Sequence, residues 1–262
     1  MFTYKRVIRC RNMVEVEVYQ SIKQVGKNYG GRGVNKNLSR AKQKTANQIR
    51  TTRKWEQIID CNFDENDYFC RFSAPYGTFD DEKKFLNHIR NFFDRIKRRA
   101  DKQGLVFKYI GFRECGKRGK NWHLHIILSA PIAAIAKECW YYRNGGMNFT
   151  PLYCDHSYEK LAQYIRKDIT AEKKDDGADD GLSLGGKRMM ASRNLTRPTV
   201  SVKKCSRREL RKLERGEYME PPKGFYLSKD ELTMHISDVT GATYYFKFRA
   251  LDAFRLGKNR IV

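Results

Sequence analysis

Glu114-Cys115-Gly116-Lys117-Arg118-Gly119-Lys120-Asn121-Trp122-His123-Leu124-His125-Ile126-Ile127-Leu128 is the stretch on which the reading of the chain turns. Residues 122–129 and 106–114 have strand character, and the Gly- and Lys-rich residues between them read as a hairpin turn. Alternate side chains of a strand share a face. His123 and His125 therefore point one way, and Leu124 and Ile126 point the other way into a core. Two imidazoles about 7 Å apart along a strand can converge on one divalent ion. The hairpin can bring the carboxylate of Glu114 beside His123. Two imidazoles and a carboxylate leave positions open on a metal, where a phosphate oxygen can bind and be polarised. Two strand histidines can equally be hydrogen-bonded parts of the structure, and the pair alone does not choose between the two readings.

Working outward, Tyr68–Ser73 is a short β-prone run closed by Ala74-Pro75-Tyr76-Gly77. Phe85, Leu86, Ile89, Phe92, Phe93 and Ile96 then recur at the helical period. Thr78 or Asp80 can cap that helix, with Asp81 and Glu82 in its favourable first turn. His88 lies off the stripe and reads as a surface side chain. A weaker stripe of Leu38, Ala41, Thr45, Ile49, Thr52 and Ile59 runs through basic residues. It fits either a solvated charged helix or one lying on a DNA backbone. Before it, residues 13–19 alternate as a strand, followed by the basic loop Gly30-Gly31-Arg32-Gly33. Downstream come a short helix over 132–141, a strand over 147–152 and a helix over 158–170 capped by Ser157. A polar, Gly-rich loop over 171–187 and a charged helix over 207–217 follow. The chain closes with a hairpin pairing 232–237 with 242–248. This order predicts an α+β fold, a central antiparallel sheet flanked by helices with a small C-terminal extension. Three segments are expected: a strand and basic loop over 1–37, the domain that carries the chemistry over 38–200, and the extension over 201–262.

Lys and Arg number 53 against 30 Asp and Glu, a formal net charge of +23 in 262 residues. Such a field attracts a polyanion, nucleic acid first, because each neutralised phosphate releases counterions. Hydrophobic residues at 40% and aromatics at 13% exclude a purely disordered basic tail. The seven cysteines form no CxxC pair, and their odd count reads as reduced thiols of a cytoplasmic protein. Residues 1–10 lack the apolar run of a secretory leader, and no run reaches the length of a membrane span.

A second chemical element is Tyr158-Glu159-Lys160-Leu161-Ala162-Gln163-Tyr164-Ile165-Arg166-Lys167. On a helix, Lys160 and Lys167 share the face of Tyr164, while Leu161 and Ile165 pin the helix to a sheet. A phenol of pKa about 10 attacks phosphorus only with help in losing its proton. Its attack on DNA gives a 5′-phosphotyrosine and a free 3′-hydroxyl. Tyr158 is the competing nucleophile. Six residues put it about 240° around the helix, so the two tyrosines do not serve one site together.

These blocks together resemble the HUH endonuclease superfamily, in particular the single-tyrosine rolling-circle replication initiators of phages and plasmids. Tyr68-Phe69-Cys70-Arg71-Phe72-Ser73 resembles the strand motif that precedes the metal motif. Glu114 with His123-Leu124-His125 resembles the metal motif, and Tyr164-Ile165-Arg166-Lys167 resembles the YxxK nucleophile motif. Asn37-Leu38-Ser39-Arg40-Ala41-Lys42 and Ser192-Arg193-Asn194-Leu195-Thr196-Arg197-Pro198 look like segments of phage-type members. The resemblance covers roughly residues 37–200. It implies site-specific nicking and joining of one strand at a replication origin, through covalent attachment to Tyr164. It implies Mg²⁺ or Mn²⁺ at His123, His125 and Glu114, with Lys167 neutralising charge or positioning the phosphate. Single-stranded origin DNA, a host helicase and a polymerase are the implied partners, in a host cytoplasm. Cys70-Arg71 departs from the family pattern, where small hydroxyl or apolar residues are usual.

Arg113, Lys117, Arg118, Lys120, Arg188 and Arg193 are candidate phosphate contacts, and Tyr109, Phe112 and Trp122 can stack on bases or belong to the core. Gly181-Leu182-Ser183-Leu184-Gly185-Gly186-Lys187-Arg188 nearly fits a P-loop. Arg188 stands where Ser or Thr would hold Mg²⁺ and no strand precedes, so no ATP use is expected. Three other readings stay open: a single-strand transposase of the same chemistry, a non-catalytic nucleic-acid-binding protein, and a phosphohydrolase that uses water.

Overall fold

A computed structural model describes residues 2–22, 25, 41–116, 120–140, 145–152, 157–170, 189–227, 232–237 and 241–251. The expected basic loop at 30–33, Lys117 and Arg118 of the hairpin turn, the loop 171–187 and Arg188 lie outside the described residues. The fold is α+β with two antiparallel sheets. The chain forms two compact units, one of residues 1–50 with 197–262 and one of residues 51–196. Segments 1–37 and 201–262, separate in the sequence reading, thus contribute to one unit.

In that first unit, β1 (Phe2–Arg9) and β2 (Met13–Ser21) form a hairpin. β8 (Thr199–Lys204) adds to β1, and β11 (Gly241–Ala250) adds to β2. β10 (Thr233–Ser237) and β9 (Phe225–Leu227) both pair with β11. Met13, Val14, Val16 and Val18 are buried, as the alternation of the segment demands. α5 (Arg207–Glu214) starts on a capping box, in which Ser206 Oγ accepts from Glu209 N–H and the Glu209 carboxylate accepts from Ser206 N–H. Its Leu213 joins a core with Val14, Val16, Phe246 and Phe248.

The second unit is built on a five-stranded antiparallel sheet. Its order is β6 (Met147–Pro151), β3 (Tyr68–Ser73), β5 (Trp122–Leu128), β4 (Ile110–Cys115) and β7 (Met189–Ala191). One face presents Cys70, Phe72, Trp122, Leu124, Ile126 and Leu128 to α2 (Glu82–Lys102) and α3 (Ala130–Cys139). α2 buries Phe85, Ile89, Phe92, Ile96 and Ala100, the expected period. Its cap is Asp81, one residue beyond the expected positions, whose carboxylate accepts from Lys84 N–H at 2.8 Å. The opposite face carries Phe69, Ile110, Phe112 and Ile127. It is covered by Ile58, Ile59 and Phe63 at the end of α1 (Ala41–Asn62) and by Tyr158, Ala162 and Ile165 of α4 (Glu159–Thr170).

Two expectations shift. Ile49 of the α1 stripe is 48% exposed, and burial is confined to the C-terminal half of that helix. The strand expected from residue 106 starts at Ile110, because its partner β7 has only three residues. Side chains bond the backbone that β7 does not reach. Ser192 Oγ accepts from Tyr109 N–H, and the Asn194 amide donates to the Phe107 carbonyl.

Candidate active site

Cross-strand register arranges the covered face of the second sheet in rows. The first row is Ser73, His123 and Glu114 on β3, β5 and β4. The second is Asn148, Arg71, His125 and Phe112, running from β6 to β4. The third is Thr150, Phe69, Ile127 and Ile110. Both expected histidines and Glu114 therefore occupy one face, and Leu124 and Ile126 face the other core.

The direct neighbour of Glu114 is His123, yet its hydrogen bond goes diagonally, with His125 Nε2 2.8 Å from Glu114 Oε1. His123 Nδ1 lies 2.8 Å from Ser73 Oγ. The hydrogen bond from His125 holds the Glu114 carboxyl below its ordinary pKa, helped by the charges of His123 and Arg71. Burial pushes the His123 imidazole below its ordinary value, with Arg71 acting in the same direction. At neutral pH the pair is thus ionised Glu114 and neutral His123, the forms that bind metal. His125 is 3% exposed and lies flat on Phe112, with ring centroids 4.7 Å apart and planes 3° from parallel. Phe69 stacks at 5.8 Å. The ring is fixed by contact before any ligand arrives.

α4 brings Tyr164 to this face. Its ring lies 6.2 Å from His125, 5.9 Å from Phe69 and 6.0 Å from Phe112, while 42% of the residue is exposed. A cavity of about 250 Å³ is lined by Phe69, Arg71, His125, Asn148, Thr150 and Tyr164. Tyr158 is 3% exposed, and its hydroxyl donates to the Phe63 carbonyl at 3.4 Å. Tyr164 is the tyrosine open to a ligand, and Tyr158 is core. The backbone of Lys167 continues α4 three residues beyond Tyr164, and its side chain lies outside the described residues.

The expected DNA contacts divide. Lys120 and Arg193 are exposed. Arg113 is 5% exposed, and its guanidinium clamps Glu82 at 2.6 Å and 2.7 Å. Strand alternation sets it opposite Glu114, against α2, so it is a structural cation and not a phosphate contact. The aromatics behave as core. Trp122 stacks on Phe85 and donates its N–H to the Phe79 carbonyl, and Tyr109 packs 4.5 Å from Phe93. His88, expected on the surface, is half-buried between Phe79 and Trp140. Arg71 is the site residue that the sequence reading passed over, its only signal being the departure from the family pattern.

Residues 76–173 match the family model of the ORF2-type replication-associated proteins. The matched segment runs from the end of β3 through α4. It includes Glu114, His123, His125, Tyr164 and Lys167, and it excludes Phe69, Arg71 and Ser73. No curated protein and no solved structure matches the chain. The matched segment contains both histidines and the exposed tyrosine that one sheet face gathers, which ties that face to replication-associated proteins. Among the described residues no helix is long and apolar enough to cross a membrane.

Whether these residues fit a divalent ion can be tested on the donors. Two imidazoles and a carboxylate are the right types. With Nε2–H given to Glu114, the lone pair of His125 is on Nδ1, which is buried and has no hydrogen-bond partner. Among the described residues, however, no three His, Cys, Asp or Glu groups are already disposed as a metal site. The set fits by chemistry, provided Glu114 and His123 exchange their present hydrogen bonds for metal bonds.

Proposed function

We propose that this protein nicks one strand of DNA at a replication origin and rejoins it, initiating rolling-circle replication through a covalent link to Tyr164. The observation that carries the reading is the packing of exposed Tyr164 against His125, on the face that holds His123 and Glu114. His123, His125 and Glu114 would hold Mg²⁺ or Mn²⁺, which when bound polarises the scissile phosphate and eases loss of the phenolic proton. Tyr164 Oη forms the bond to phosphorus, the P–O3′ bond breaks, and the departing 3′ oxygen ends with the proton. Lys167, on the same helix face, neutralises phosphate charge. The +23 net charge supplies sequence-independent affinity for single-stranded origin DNA. Unwinding and synthesis fall to a host helicase and polymerase in the cytoplasm.

A second reading has one observation in its favour. Each histidine has a protein hydrogen-bond partner, Ser73 for His123 and Glu114 for His125, as expected of structural histidines in a binding protein. Single-stranded oligonucleotides covering the replicon's origin region, incubated with Mn²⁺ or with EDTA and run on a denaturing gel, separate the two. A metal-dependent protein–DNA adduct, lost in Tyr164→Phe and His123→Ala, supports the nickase. Cleavage without an adduct indicates a nuclease that uses water. Salt-sensitive binding with no cleavage leaves the binding protein.

A further inference from the structure

Arg71 occupies the centre of the middle row, between His125 on β5 and Asn148 on β6. Cross-strand neighbours have Cβ atoms about 5 Å apart. Its guanidinium, a few ångströms in length beyond that point, reaches over the same floor as both imidazoles. The residue is exposed and lines the cavity shared with His125 and Tyr164, whose lining holds no Asp or Glu. Among the described residues the guanidinium has no hydrogen-bond or ion-pair partner, in contrast to Arg113 on the other face. An uncompensated cation beside imidazoles works against their protonation, and it lowers the His123 pKa. The arrangement is favourable when an anion enters the cavity. Beside it, Thr150 Oγ1 donates to Asn148 Oδ1 at 3.0 Å, which leaves the Asn148 amide N–H groups as donors. One wall thus offers a guanidinium and an amide, both selective for an oxyanion.

We propose that Arg71 is a catalytic residue that grips the non-bridging oxygens of the phosphate attacked by Tyr164. The inference rests on the nicking reading and adds a residue outside the segment that matches the replication-associated family. As the Tyr164 Oη–P bond forms and the P–O3′ bond breaks, negative charge builds on those oxygens. The fixed fork of Arg71 meets that charge from the side of β3. The phenolic proton finishes on the 3′ oxygen, so the guanidinium stays charged throughout and acts as donor only.

The test begins with the wild-type protein, Mn²⁺ and the origin-region oligonucleotides, which map the cleaved position. Arg71→Ala is expected to slow adduct formation by about 10²- to 10³-fold, the usual effect of removing one oxyanion donor. Arg71→Lys, which keeps charge and loses the fork, is expected to fall between. An oligonucleotide with a methylphosphonate at the mapped position has one non-bridging oxygen replaced by a neutral methyl. On it, wild type and Arg71→Ala should react at rates within a few-fold of each other. Two outcomes overturn the proposal while leaving the nickase intact: Arg71→Ala at the wild-type rate, or an undiminished defect on the methylphosphonate. Absence of any adduct from the wild type removes the nicking reading and the proposal with it.

Discussion

Glu114 lies directly across from His123 in the β4–β5 ladder, but its carboxylate accepts from His125 Nε2 at 2.8 Å. The carboxylate therefore orients the ring already stacked on Phe112, and any metal bond it makes competes with that hydrogen bond. Loss of a carboxylate that orients or ligates typically costs about 10- to 100-fold in metal affinity. Glu114→Gln is expected to weaken Mn²⁺ binding by that factor in calorimetric titration at neutral pH. Unchanged affinity would show that Glu114 has no part in holding the ion.

The two tyrosines of the α4 segment should separate by readout. Tyr158→Phe removes a buried hydroxyl that donates to the Phe63 carbonyl, so about 1 kcal/mol of stability is expected to go. Adduct formation with single-stranded DNA should persist. Tyr164→Phe removes a hydroxyl from an exposed ring, so the unfolding midpoint should hold within experimental scatter while the adduct disappears. Thermal unfolding alongside the denaturing gel checks both halves. An adduct in Tyr164→Phe that is lost in Tyr158→Phe would reverse the assignment.

Much of this is legible in the sequence, and what is not has physical reasons. Alternation fixes the face shared by His123 and His125, and the 3.6 period fixes the buried side of α2. Both patterns exist because one side is buried, so they fade where burial does. β8 is mostly exposed along its length and β7 has three residues, so neither leaves a clear alternation. The pairing of β1 with β8 joins residues nearly two hundred positions apart, which no local pattern encodes. Arg113 looks like a phosphate contact beside a basic turn. Its partner, Glu82, stands on a helix thirty-one residues earlier, and only the packing of α2 on the sheet brings them together. Arg71 is passed over for a related reason, since its chemistry comes from neighbours on β5, β6 and α4.

The Arg113–Glu82 pair gives a test that keeps structure apart from DNA binding. Arg113 is 5% exposed and the Glu82 side chain 31%. Its contribution falls between those of a surface pair and a fully buried one, so Glu82→Gln is expected to cost roughly 1–3 kcal/mol. The slope of log affinity against log salt for single-stranded DNA should not change, because no phosphate contact is lost. A shallower slope in Arg113→Gln, at full stability, would return Arg113 to the DNA.

His88 predicts an acid sensitivity. Burial between Phe79 and Trp140, with the charge of Arg95 nearby, lowers its pKa from 6.5 to about 4. Above pH 6.5 the ring is neutral in both folded and unfolded chains and costs nothing. As pH falls from 6.5 toward 4 the unfolded chain takes up a proton that the folded chain refuses, so stability declines through that window. The ring is only half-buried, which makes the decline smaller than the full shift would give. His88→Gln lacks this group, and its melting temperature should fall less than that of wild type between pH 6.5 and 4. Parallel curves for the two proteins would show that His88 does not titrate in this way.

Gly111 sets how closely β4 approaches the histidine strand. A Cβ built there would overlap the carbonyl oxygen of His125 and stand 3.1 Å from the Ile126 Cα, both backbone atoms that cannot swing aside. Gly111→Ala must therefore push β4 away from β5 at the level of His125. Overpacking of this kind costs about 1–3 kcal/mol. The displacement also carries Phe112 and Glu114 away from the imidazole they hold, since both follow Gly111 on β4. Adduct formation should fall by more than the stability loss explains, measured at a temperature where the variant is fully folded. Gly104→Ala is the control. Gly104 has a φ of 66° in the turn after α2 with no atom near its would-be Cβ, so its variant loses stability through backbone strain alone. Once folded, it should form the adduct at the wild-type rate. Equal rates for Gly111→Ala and Gly104→Ala would mean that the spacing of β4 and β5 does not govern the site.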